Sequence, residues 1–373
     1  MEQDILQLSM DLIRIPSITG DAKQNLRLLN LAKSFLGSKN KPIVFKKNGV
    51  VSYLWSNAKE PMKPNILLFG HLDVVDAESP SELFRPKLKK GRLLGRGAGD
   101  MKGHAAVLLA CYKQVLETNT DVSLALLLTT DEEVGGFNGA RYVVESGLKP
   151  GILFLPDSSV NFDIVVSEKA PHHFTIEAKG EGGHASRAFE IDNPLNKILG
   201  FYEEVRREFH IATRKKSWAS TFEIVAIATN NRSLNKVPSL ATASFSWRWP
   251  LEHIKFEVGR RKILKIATKH SCKVVSEEGW GEGVMINKSA SYVNKWKKII
   301  EQNSGKKVSF TKVHGSSDAR HFFNNGLYGT KNIIVTSAVT GGHHSQSEWV
   351  DVESLAILGK SLLQFINEQK LSQ

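Results

Sequence analysis

Three apolar runs in the chain each give way to acidic residues or histidine. The segment 65-NILLFGHLDVV-75 leads to His71 and Asp73, 123-SLALLLTTDEE-133 to Asp131, Glu132 and Glu133, and 151-GILFLPD-157 to Asp157. Ligands of open α/β sheets bind outside the carboxyl ends of the strands, so these groups are predicted to converge on one crevice. Singly, each has an ordinary reading: a histidine closing a strand is more often structural, and DEE before Gly135-Gly136 also fits a solvated turn. Together they read differently, because carboxylates crowded into a partly buried crevice repel and are costly to desolvate unless cations neutralise them. Carboxylates with neutral imidazole suit zinc and related divalent ions, and one carboxylate can bridge two of them. Paired metals roughly 3.5 to 4 Å apart are the usual arrangement for hydrolysing amides and phosphoesters. A further carboxylate, Asp100, lies in the glycine-rich 95-GRGAGDMKG-103. That loop lacks the spacing of a phosphate loop and ends in a group that repels phosphate.

The elements that must position these groups alternate between helix and strand over the first 170 or so residues. The spacing predicts helices over 3–14, ended by Pro16, and over 22–36, 103–116 and 139–146, the last with Gly147 as its cap. Buried strands are expected at 65–69, 123–128, 151–155 and 163–166, which makes an α/β pattern with a largely parallel sheet. From about Pro171 to Gly283 the order reads β-α-β-β-α-β, with strands at 173–179, 221–228, 241–249 and 272–278 and helices at 193–209 and 251–269. Residues 241–249 alternate strictly, with Ala241, Ala243, Phe245, Trp247 and Trp249 on one face, as in a one-sided sheet covered by helices of the ferredoxin-like kind. A helix at 289–301, a short strand at 332–335 and a helix at 352–369 then complete the first domain, so the second is expected as an insertion. The predicted boundaries are 1–171 with 284–373 for the catalytic, metal-binding domain, and 172–283 for the insert.

Fifty Lys and Arg against 38 Asp and Glu give a net charge of +12, yet the clusters KLKKGR, RKK, GRRK and KWKK are scattered and lack an aromatic motif. They read as solvated surface rather than a nucleic-acid site. The opening MEQDILQLSMDLIRIPS is acidic and amphipathic, no run approaches the ~18 apolar residues of a membrane span, and the only cysteines are Cys111 and Cys272. A reducing, cytoplasmic setting is expected.

The sequence resembles the metallohydrolase family of aminoacylase, acetylornithine deacetylase, succinyl-diaminopimelate desuccinylase and the glutamate carboxypeptidases. The matching stretches are 70-GHLDVV-75, 96-RGAGDMKG-103, 130-TDEEVGG-136, 155-LPD-157, 182-GGHASR-187, 315-GSSDAR-320 and 343-HHSQSEWV-350, in family order. The resemblance implies a zinc-peptidase-like catalytic domain with a ferredoxin-like lid and dimerisation domain inserted in it. It implies that His71 and Asp157 hold one metal, Glu133 and His344 the other, and that Asp100 bridges them. His344 rather than His343 stands four residues before Glu348, as the family's closing motif requires. Asp73 would orient His71 from behind, and Glu132 would be the general base, taking a proton from the attacking water and passing it to the leaving amine. His184 would stabilise the oxyanion across a dimer, while Asn235, Arg248, Ser316, Ser317 and Arg320 would line the substrate pocket. The chain departs from the family at Asp76 and Ser246, where proline and aspartate are common, and Lys169 stands near a substrate-binding arginine of desuccinylases.

The function expected is hydrolysis of the amide of an N-acyl amino acid, of the acetylornithine deacetylase or succinyl-diaminopimelate desuccinylase type. Two divalent ions would serve as cofactors, zinc first, with cobalt or manganese able to substitute. The partners are a small N-acyl amino acid or short peptide and a second copy of the chain, with neither nucleic acid nor membrane. Within the family the alternative is a di-, amino- or carboxypeptidase; outside it, a non-catalytic binding protein on the same fold.

Overall fold

The strands Ile66–His71 and Leu124–Thr129 are buried along their whole length, as runs without polar alternation must be when both faces of a sheet are covered. The computed structural model describes residues 1–77, 80–118, 121–278, 283–324 and 332–369. Those two strands are the centre of a six-stranded sheet in the order Ile43–Lys47, Val50–Ser56, Leu124–Thr129, Ile66–His71, Ile152–Leu155, Ile333–Val335. The last four run parallel, so their carboxyl ends share one edge of the sheet. Helix Gly103–Thr118 packs on the sheet and is covered in turn by Glu2–Ile13 and Val352–Gln369, which explains why it is apolar on most of its circumference.

Two features depart from the expected strand pattern. The first two strands form a hairpin closed by Asn48 and Gly49, both at positive φ, the backbone that a two-residue hairpin turn requires. The strand expected at 163–166 is Ile164–Glu168, and it pairs with Phe310–Val313 outside the central sheet, whose edge beside Ile152–Leu155 is taken by Ile333–Val335. A small antiparallel sheet of Lys87–Lys89, Arg92–Leu94, Trp349–Asp351 and Thr340–Gly341 frames the loops at 95–102 and 342–348.

Two compact units emerge from the packing: residues 1–167, 285–313 and 317–373 in one, and 168–284 with 314–316 in the other. The second unit holds an antiparallel sheet in the order Thr221–Thr229, Leu240–Trp249, Ala170–Lys179, Cys272–Glu278, with helices Pro194–Glu208 and Phe256–Lys269. Burial along Leu240–Trp249 alternates at every residue, and Phe245, Trp247 and Trp249 join Phe174, Phe201 and Phe222 in an aromatic core. The second helix begins at Phe256 rather than 251, because Leu251 to His253 fold into a turn after Pro250, where His253 N donates to the Pro250 carbonyl at 3.1 Å. Among the described residues no helix is long and apolar enough to cross a membrane.

Candidate metal centre and active site

His71 is the last residue of its strand and is 1% exposed. Its Nδ1 lies 3.0 Å from the backbone carbonyl of Asp73 and 3.5 Å from Asp73 Oδ1, while Nε2 lies 3.1 Å from Asp100 Oδ1. The other oxygen of Asp100 is 3.2 Å from His344 Nε2, which is also 3.2 Å from Glu133 Oε2. Asp157, two residues past Ile152–Leu155, completes the first cluster. The ligand atoms of His71, Asp100 and Asp157 lie within 4.8 Å of one another, and so do those of Asp100, Glu133 and His344. The two groups therefore overlap at Asp100, one oxygen facing each. His343 faces elsewhere, with Nε2 2.8 Å from Thr340 Oγ1.

The electrostatics of this set call for cations. Burial alone would depress the His71 imidazole, but the Asp100 and Asp73 carboxylates hold its pKa well above the usual value. Hydrogen bonding to Asp100 and Glu133 raises His344 to about 10. Burial would raise Asp100, yet the imidazoles of His344 and His71 pull it well below the ordinary carboxylate range. Burial pushes Glu132 well upward, and Glu133 upward as well. With His71 Nδ1 donating to the Asp73 carbonyl, its Nε2 lone pair faces a carboxylate, so a proton or a metal ion has to lie between them. Glu133 Oε1 is buried without a hydrogen-bond partner among the described residues. Oxygen and imidazole donors in two groups that share one carboxylate fit a pair of divalent cations.

Further side chains, within the motifs and beyond them, hold this set in place. Arg96 and Glu348 form an ion pair at 2.7 Å, buried on both sides. Glu348 Oε1 accepts from the backbone N–H of Gly99 and of Asp100, each at 3.0 Å, and Arg96 Nη2 donates to the carbonyls of His344 at 3.1 Å and Asp76 at 3.3 Å. One buried pair thus fixes both Asp100 and His344, and gives the backbone at Asp76 a partner. The Asp73 carboxylate accepts from Thr19 Oγ1 at 2.8 Å and from the N–H groups of Glu132 and Glu133 at 3.2 and 3.3 Å. Asp131, pushed up to about 7 by burial, accepts from the N–H groups of Asn138 and Gly139. Apart from those of Asp131, these contacts join segments far apart in the chain, so no local spacing announces them.

The remaining residues singled out from the sequence fall into both units. Ser317 is buried and its Oγ accepts from Ala319 N at 3.3 Å, while Arg320 directs Nη2 to the carbonyl of Gly135 at 2.5 Å. In the other unit, His184 is exposed, with Nδ1 accepting from Ser186 N at 3.2 Å, and the Asn235 carbonyl accepts from Ala185 N at 2.8 Å. The pairing of Gly183–His184 with Lys236–Val237 brings His184 and Asn235 together. Arg248 lies on the half-buried face of its strand, opposite the aromatic core, and Ser316 belongs to the same unit. Lys169 is 1% exposed, donates to the Ser217 carbonyl at 3.2 Å, and has its pKa lowered by burial and by Arg248.

Comparison with known proteins agrees with this geometry. The profile of Peptidase family M20/M25/M40 matches residues 67–368. Succinyl-diaminopimelate desuccinylase of Rickettsia bellii (strain OSU 85-389) is 27% identical over 276 residues, covering 69% of this chain and 71% of its own. The desuccinylase of Pelagibacter ubique (strain HTCC1062) is 27% identical over 340 residues, covering 84% and 87%. Among solved structures, the M20 family metallo-carboxypeptidase Sso-CP2 from Sulfolobus solfataricus superposes with a TM-score of 0.78 at 19% identity, over 97% of this chain and 98% of that one. With the family profile spanning most of its length, the chain belongs to Peptidase family M20/M25/M40 and is a metal-dependent hydrolase of amide bonds.

Proposed function

We propose that the protein is a deacylase that removes an acyl group, succinyl in the first instance, from the amino nitrogen of an amino acid. The observation that carries this reading is the pair of donor groups overlapping at Asp100, with Glu132 beside them. His71, Asp157 and one oxygen of Asp100 would hold one divalent ion, and Glu133, His344 and the other oxygen of Asp100 the second, with zinc favoured and cobalt or manganese able to substitute. When bound, such a pair supplies Lewis acidity toward the scissile carbonyl and makes water acidic near neutral pH. Glu132 takes the water proton on its carboxylate and delivers it to the leaving amine. Asp73 orients the turn that carries Glu132 through its two backbone hydrogen bonds.

The identity of the relatives favours a deacylase over a peptidase, since the desuccinylases are closer in sequence than the solved carboxypeptidase. Arg248 would grip a carboxylate of the substrate, as an arginine fork can. Asn235, Ser316 and Ser317 would hold the rest of the substrate's polar end, and His184 the developing oxyanion. The test is turnover of N-succinyl and N-acetyl amino acids beside a dipeptide panel, with zinc, cobalt or manganese supplied after chelation. Chelation should abolish turnover and metal should restore it, with N-succinyl substrates fastest. Cleavage of peptides alone would remove the deacylase reading.

We also read the insert as a ferredoxin-like lid through which two copies pair. Its β-α-β-β-α-β order supports this, and so does the edge strand Thr221–Thr229, whose Val225 and Ile227 are 63% and 50% exposed. An open edge carrying apolar side chains is a template for another strand. Sedimentation should show a dimer that Ile227→Lys weakens; an active wild-type monomer would contradict the pairing. A cytoplasmic location, with no nucleic-acid or membrane partner, completes the reading.

A further inference from the structure

The turn that carries Glu132 and Glu133 is closed by its own backbone, with Gly135 N donating to the Glu132 carbonyl and Gly136 N to the Asp131 carbonyl, both at 2.7 Å. Its far end is gripped by a different segment. Arg320 Nη2 and His321 Nε2 both reach the carbonyl oxygen of Gly135, at 2.5 and 2.9 Å. Asp318, 1% exposed, lies behind them, with Oδ1 3.4 Å from His321 Nε2 and 3.9 Å from Arg320 Nη2. The carboxylate also presses on the turn itself. Gly136 has φ +65°, and a Cβ there would stand 2.0 Å from Asp318 Oδ1. The Phe137 ring flanks both side chains, its centroid 5.7 Å from that of His321 and 5.9 Å from the Arg320 guanidinium.

We infer that Asp318, Arg320 and His321 are positioning residues, which act through the Gly135 carbonyl to fix the Glu132–Glu133 turn, and that Arg320 does not bind the substrate carboxylate. Asp73 anchors the turn at its first two N–H groups, and this second clamp anchors it at the last carbonyl. A rigid turn needs both, because a one-anchor loop can pivot about its fixed end. The guanidinium is also committed: a buried arginine bound to a backbone carbonyl has fewer donors left for a substrate fork. The chemical consequence rests on Glu132 being the base, as proposed above, while the mechanical one does not.

Two measurements therefore separate the two claims. In the metal-free protein, Arg320→Met and His321→Leu should each speed amide hydrogen exchange across residues 131–139 by about tenfold, the equivalent of one net hydrogen bond. In the loaded enzyme the same variants should lower kcat by up to about 10²-fold, the cost of misplacing a catalytic group by around 1 Å, with KM within about twofold of wild type. His321→Gln, which keeps a donor at the Nε2 position, should recover most of both losses. Unchanged exchange in both variants would overturn the clamp. A raised KM with unchanged kcat in Arg320→Met would overturn it as well, and return Arg320 to the substrate. Should Arg320→Met fail to fold, the His321→Leu and His321→Gln pair decides the matter alone. Faster exchange without an effect on kcat would leave the clamp standing and place the fault with Glu132 as base.

Discussion

Glu132→Gln is expected to lower kcat by about 10³-fold while leaving metal content and melting temperature as in the wild type. The substitution keeps the shape of the side chain and its backbone hydrogen bond to Asp73, and it removes only the capacity to accept a proton. Its neighbour behaves differently. Glu133 Oε2 is 3.2 Å from His344 Nε2 and its Oε1 is buried without a partner among the described residues, so Glu133→Gln should cost metal binding first and activity as a result. Elemental analysis of the two purified variants beside single-turnover kinetics distinguishes them. Near-normal turnover by Glu132→Gln would mean that another group takes the proton. Loss of metal from that variant would mean that the two adjacent carboxylates have been given each other's roles.

The gathering of acidic residues and histidine at the strand ends was legible because strand chemistry and strand topology point the same way. His71, Glu132, Glu133 and Asp157 follow apolar runs, and parallel strands with consecutive helices must present their carboxyl ends on one edge. Asp100 and His344 lie in irregular loops, one flanked by glycines and the other at φ +61°, and periodicity has nothing to say about such positions. Only whole motifs marked them. The alternation of Leu240–Trp249 was legible for the opposite reason, that a two-residue period needs no partner to be recognised. The hairpin at 43–56 carried its signal in Asn48-Gly49, but Lys46 and Lys47 break the apolar pattern on its exposed edge strand, whose side chains are exposed or half-buried. Least legible were the supporting side chains. Arg96 meets Glu348 and Arg320 meets Gly135 only because the fold closes long loops, and such contacts leave no trace in local composition.

Glu348→Ala is expected to show how much rests on those supporting contacts, lowering stability by about 3 to 5 kcal/mol and metal affinity by about 10- to 100-fold. The first effect comes from Arg96, whose side chain is 4% exposed and would keep a buried charge with its carboxylate partner gone. Its Nε has no hydrogen-bond partner among the described residues, so there is little to absorb the loss. The second effect comes from the backbone at Gly99 and Asp100, whose N–H groups both lose the same acceptor, and from the His344 carbonyl, which is held by Arg96. Asp100 faces both donor groups, so freeing it should loosen both metal positions together rather than one after the other. The pair itself is not cheap. Burial and the charge of Asp100 push the Glu348 carboxyl upward, against the pull of the backbone amides and Arg96. Removing both charges, in Glu348→Ala with Arg96→Met, should therefore recover much of the stability lost in the single variant, because no unpaired charge is left buried. It should recover none of the metal affinity, because the acceptor for Gly99 and Asp100 is still missing. Denaturant unfolding and metal titration read the two quantities separately. A double variant that regained metal affinity along with stability would show that the pair serves only the fold, and that Asp100 is positioned by something else.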